Sequence, residues 1–83
     1  MTTQEIYISA IRLINRTITL GANVSNGCTT DYPEYKSNLD RMEAVKTWTI
    51  ENNMIQEVRN YFASHNFGQN AQFSAVEISK LFY

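Results

Sequence analysis

The sequence predicts an all-α fold, a small bundle of three to four helices, and three observations carry that expectation. The span Ser37–His65 lies in the longest stretch free of Gly and Pro, and its apolar residues recur at helical spacing. The segment Met1–Leu20 carries a second stripe of the same period. Residues that start helices precede several of the segments, with Gly-rich and Asn-rich turns between them. The expected arrangement is a single domain, 1–83, organised around the central segment. That segment runs antiparallel to the first helix, and a short C-terminal helix closes one end.

In the first helix, Thr2 and Glu5 have capping-box spacing, so the hydroxyl can accept from the Glu5 amide. Ile6, Ala10, Leu13, Ile14, Thr17 and Ile18 follow a 3–4 rhythm on one face, and Ile8, Ile11 and Leu20 widen it. The β-branched content makes a strand the competitor near Arg16–Leu20, but the periodicity decides for helix. Gly21 is placed as the C′ residue that stops it.

Ala22–Thr30 reads as a loop, with turn chemistry at Ser25-Asn26-Gly27. Asn15-Arg16-Thr17 and Asn23-Val24-Ser25 match the glycosylation acceptor pattern. The N-terminus lacks the basic start and continuous apolar core of a secretion signal, so both are read as chance. Asp31 as N-cap, Pro33 in the first turn and Glu34 at N3 mark a helix entry, and Ser37 with Asp40 is a second candidate. The central helix therefore begins between Tyr32 and Asn38.

Leu39, Met42, Val45 and Trp48, continued by Ile55, Val58 and Phe62, form the central apolar stripe. Asn52-Asn53 interrupts it, because adjacent Asn residues favour caps and turns over helix interiors. Two outcomes stay open. The helix breaks there, with Asn53 capping the second half, or it continues for roughly 40 Å with an Asn on the seam fixing register. Asn66–Gln72 reads as a loop. Ser74 and Glu77 then have capping-box spacing with Phe73 and Ile78 at the staple positions, opening a helix from Ala75 to about Phe82 that buries Ile78, Leu81 and Phe82.

The chain has 83 residues, with seven Lys and Arg against eight Asp and Glu. A domain this small buries roughly 60–65% of its unfolded surface, and oligomerisation often supplements such a core. Charged residues are 18% of the total, below a typical value of about 25%. There is no net field to gather nucleic acid or anionic membrane, and a polar, charge-poor surface favours association. The single cysteine, Cys28, excludes an intramolecular disulfide and fits a reducing, cytoplasmic location. No apolar run approaches the roughly 18 residues of a membrane helix, so no membrane insertion is expected.

No phosphate loop, HExxH or CxxC is present, and the one histidine, His65, lacks the partners of a catalytic pair. His65 sits instead at a helix C-terminus, where the dipole favours it. The carboxylate pairs Asp31/Glu34 and Asp40/Glu43 are interleaved with Lys36, Arg41 and Lys46, as on a solvated, salt-bridged face. A non-enzymatic protein without catalytic residues, metal or cofactor is therefore expected.

Trp48, Tyr61 and Phe62 are assigned to the core. Tyr32, Tyr35, Phe67, Phe82 and Tyr83 lie at element ends or in loops and are the candidate protein interface, for a partner protein or a second copy. The expected function is a small interaction or regulatory protein, in style a phage- or mobile-element-encoded modulator (inhibitor) of a host process. Two alternatives stand beside it. One is a nucleic-acid-binding accessory factor using Arg12 and Arg16, one turn apart with Tyr7 nearby. Its closing segment has a weak likeness to the first helix of a helix-turn-helix, with no recognition helix after it. The other is an oligomer binding a small ligand such as a nucleotide between protomers.

Overall fold

α1 (Thr3–Ser25) is the longest element of the chain, in a computed structural model that describes residues 2–83, residue 3 by its backbone only. Met1, expected in the same helix, lies outside the described residues. At 1.5 Å per residue α1 is about 35 Å long, nearly the full 37 Å extent of the molecule. The fold is thus laid along α1 rather than along the central segment. A 3₁₀ turn (Thr29–Asp31) leads into α2 (Tyr32–Glu51), followed by α3 (Ile55–Ser64), α4 (Gln72–Ser79) and a last 3₁₀ turn (Lys80–Phe82). α2 returns antiparallel to α1, bringing Tyr35 against Gly21 and Glu34 to Arg16.

α1 starts as its sequence dictates, with Thr2 Oγ1 accepting from the Glu5 amide at 3.2 Å. It does not stop at Gly21. It runs one turn further and ends at Gly27, whose φ of +98° is the left-handed conformation that favours glycine. The Cys28 amide donates to Asn23 O (2.9 Å) and the Gly27 amide to Val24 O (3.1 Å), the paired bonds of a Schellman stop. Gly21 stays helical and buried for a different reason. A Cβ there would collide with Ser74 Oγ and stand 2.9 Å from Tyr35 Cε1.

The central segment breaks at Asn52-Asn53 by the same device. Asn53 has φ +58°, the Met54 amide donates to Thr49 O at 2.7 Å, and the Asn53 amide donates to Ile50 O at 3.1 Å. Asn52 Nδ2 adds a bond to Trp48 O at 2.8 Å. Asn53 therefore ends α2 and does not cap α3, whose N-cap position is Met54, without a side-chain bond. Asn tolerates the left-handed region because its short amide can satisfy the backbone locally. At the start of α2, Asp31 occupies the expected N-cap position but its carboxylate faces backwards, accepting from Asn23 Nδ2 at 3.1 Å.

Ala10, Ile14 and Ile18 of α1, Met42 and Val45 of α2, Val58 of α3, Ala75 and Ile78 of α4, and Phe82 form one core. The α1 stripe is the predicted one, with Leu13 half-buried. In α2 the inward position after Val45 is Thr49 and not Trp48, and Thr49 satisfies its hydroxyl on Lys46 O at 2.8 Å. Trp48, Tyr61 and Phe62 are only half-buried, so the interior is aliphatic around the single enclosed ring of Phe82.

α4 departs furthest from expectation. It begins at Gln72, with Ala71 at the N-cap and no side-chain cap. Ser74 lies inside the helix, buried, and donates to Ile18 O at 2.9 Å, where the bare Gly21 backbone admits it. With Ser74 turned inward, Phe73 faces away from the core, Leu81 is exposed, and Glu77 pairs with Lys80 at 3.2 Å. Arg59 closes the C-terminal turn: its Nε donates to Phe82 O at 2.7 Å, and its guanidinium lies 5.1 Å from the Tyr83 ring centroid.

Candidate interaction surfaces

The aromatic residues proposed as an interface separate into three groups. Tyr32 and Tyr83 are open, at 51% and 68% exposure. Tyr35 and Phe67 are half-buried. Tyr35 packs beside Gly21, where burial and then the Glu77 charge push its phenol pKa up. Phe67 packs edge-on against Tyr61 (5.7 Å) and His65 (4.7 Å). Phe82 is fully enclosed and is a core residue, not a surface one. Its burial follows from the final 3₁₀ turn, which folds back over α2 and α3 under the Arg59 bond.

Among the described residues, the most exposed large apolar side chain is one that the sequence places as a local staple. Phe73 is 71% exposed, with Val76 one turn on at 42%. Both lie across α4 from Ala75 and Ile78, so the helix is apolar on its core side and on its outer side. Its sequence, QFSAVEIS, showed this only as a failure of amphipathic pattern. Leu39, Ile50 and Leu81 edge a cleft of about 480 Å³ together with Glu43 and Lys46.

Arg12 and Arg16 are both exposed on α1. Arg16 is committed to Glu34: both Nε and a terminal guanidinium nitrogen lie 2.9 Å from one carboxylate oxygen. Tyr7 lies elsewhere, in a groove against α3, so the three residues do not converge.

That groove has a volume of about 730 Å³ and runs between the first turns of α1 and one face of α3. Its walls carry Tyr7 from α1 and Met54, Glu57, Asn60, Tyr61 and Ser64 from the α3 side. The α3 residues share a face because they recur at three- and four-residue intervals. Tyr61 is held in place by its hydroxyl, which donates to Asn15 Oδ1 at 2.8 Å, and by His65 stacked on its ring at 4.8 Å. Burial, then the neighbouring Tyr61 and Glu57, raise the Tyr7 pKa above its ordinary value of 10.0.

Among the described residues, no group of three or more His, Cys, Asp or Glu is placed to hold a metal ion. Among the described residues, no helix is long and apolar enough to cross a membrane. Cys28 is an exposed thiol in the turn after α1, 3.5 Å from Asp31 Oδ2. No protein-family model, curated protein or solved structure matches the chain.

Proposed function

We propose that the chain acts as a small protein-interaction module whose docking surface is the outer face of α4. The observation that supports this reading is the exposure of Phe73 and Val76 on a helix whose opposite side already forms core. An aromatic ring carries a large apolar area at low conformational cost, the usual composition of an interface anchor. Covering one such side chain contributes about 1.5–3 kcal/mol. Tyr83, Ile50 and Leu81 are further exposed apolar side chains. The charges that α4 and its final turn carry, Glu77 and Lys80, neutralise each other in an ion pair at 3.2 Å.

The test compares the wild type with a Phe73→Ser/Val76→Ser variant, both checked for unchanged helicity. Light scattering reads self-association, and affinity capture from the source cells reads a partner. The proposal expects a dimer or a specific partner in the wild type and loss of it in the variant. A wild type that stays monomeric and retains nothing refutes it, as does a variant that keeps the same partner. The exposed Arg12, with Arg16 ion-paired, gives nucleic-acid binding no comparable surface.

A further inference from the structure

We propose that the groove between α1 and α3 binds a small organic cation, an amine or quaternary ammonium carried on an apolar body. This site is independent of the α4 surface, and three features of the groove point to its ligand. Its volume, about 730 Å³, falls within the range of small-molecule sites, roughly 300–1,000 Å³. It presents two phenol rings, Tyr7 and Tyr61, and the apolar Met54. Ring faces attract a cation within about 6 Å of the centroid and also accept an apolar body. Among the described residues its one formally charged lining group is the Glu57 carboxylate, which has no ion-pair partner among them.

The arrangement is preorganised. Glu57 and Tyr61 are one helical turn apart on the same face of α3, and the bond to Asn15 fixes the Tyr61 ring across to α1. Asn60 Oδ1 accepts from Gln56 Nε2 at 3.1 Å and Ser64 Oγ donates to Asn60 O at 2.8 Å, and each oxygen keeps a further lone pair that can accept from an amine or a hydroxyl. Burial is the main cause of the raised Tyr7 pKa, followed by Tyr61 and then Glu57, so the Glu57 charge acts at this ring only as a smaller contribution. Among the described residues the opposing influence is the set of amides at the start of α1, of which the Glu5 amide is bonded to Thr2 Oγ1.

The test is an NMR titration of the whole chain at pH 8 with choline, with its neutral isostere 3,3-dimethylbutan-1-ol, and with acetate. Choline is expected to shift the Tyr7 and Tyr61 ring resonances saturably, with half-saturation on the order of 1–10 mM. The isostere should bind at least about threefold more weakly, and acetate should give no saturable shift at these rings. Glu57→Gln should weaken choline roughly two- to fivefold, the range of an exposed charge pair, and leave the isostere unchanged. Equal binding of choline and isostere would reduce the groove to an apolar crevice and overturn the proposal. Preference for acetate, or no saturable shift by about 100 mM choline, overturns it as well.

Discussion

Replacing Gly21 by alanine sets two opposed effects against each other at one atom. In a helix interior the substitution should stabilise by about 1 kcal/mol, because glycine has more backbone entropy to lose. Here the added Cβ would run into Ser74 Oγ and stand 2.9 Å from Tyr35 Cε1 and 3.2 Å from Cζ. Forcing a methyl group into such a contact costs about 1–3 kcal/mol. Displacing the buried Ser74 hydroxyl from Ile18 O adds about 1–3 kcal/mol if it is left unpaired. The net expectation is a loss of about 1–5 kcal/mol, each kcal/mol corresponding to roughly 4–8 °C in Tm for a domain of this size.

Urea denaturation of Gly21→Ala, Ser74→Ala and the double variant measures it. The second substitution should recover at least about 1 kcal/mol in the Gly21→Ala background, since it removes the nearer obstacle. Gly21→Ala more stable than wild type, or additive effects of the two changes, would refute this account of the α1–α4 crossing.

Asn53→Gly should stabilise slightly and Asn53→Ala destabilise by about 1 kcal/mol, because φ at this position is +58°; denaturant midpoints read both. Tyr61→Phe should cost about 0.5–1.5 kcal/mol through loss of the 2.8 Å bond to Asn15, again measured by denaturation. Tyr7 and Tyr35 both have folded-state pKa values raised above the ordinary 10.0. The folded state therefore holds these protons more tightly than the unfolded one, and the associated stability is complete below pH 10.0 and lost as pH rises beyond it. Stability measured from pH 8 to 11 should fall at the alkaline end, and less steeply in Tyr7→Phe and Tyr35→Phe. A flat profile in the wild type would contradict the burial of these phenols.

Periodicity made α1 and the inner faces of α2 and α3 legible, because Ile6, Ala10, Ile14, Ile18, Met42, Val45 and Val58 obey the 3–4 rhythm without tertiary help. Turn chemistry is visible at Asn26-Gly27, although the sequence places the stop of α1 at Gly21, and the break at Asn52-Asn53 is one of two outcomes it leaves open; left-handed backbone restricts the residues that can stand at Gly27 and Asn53. What one sequence could not separate was two uses of the same residue type. Gly21 reads as a stop until Ser74 is brought against it by a chain reversal more than fifty residues later. Ser74 likewise reads as a cap until that same contact turns it inward, and its rotation decides that Phe73 is open. Phe82 was assigned both to the closing helix's buried side and to the interface, and its enclosure follows from a 3₁₀ turn and the Arg59 bond. The α1–α3 groove had only the Glu57–Tyr61 spacing as a local sign, and Tyr7 joins it through tertiary packing alone.

The Ser74–Ile18 bond links positions 56 residues apart. At synthesis rates of about 5–20 residues per second, α1 emerges several seconds before its last packing partner exists. During that interval its stripe from Ile6 to Ile18 is covered on the α2 side at most, and Phe82 is still to be translated. A nascent chain therefore leaves this stripe open for a time set by translation, and slowing the ribosome across codons 72–82 should lengthen that interval more than slowing it anywhere in α1.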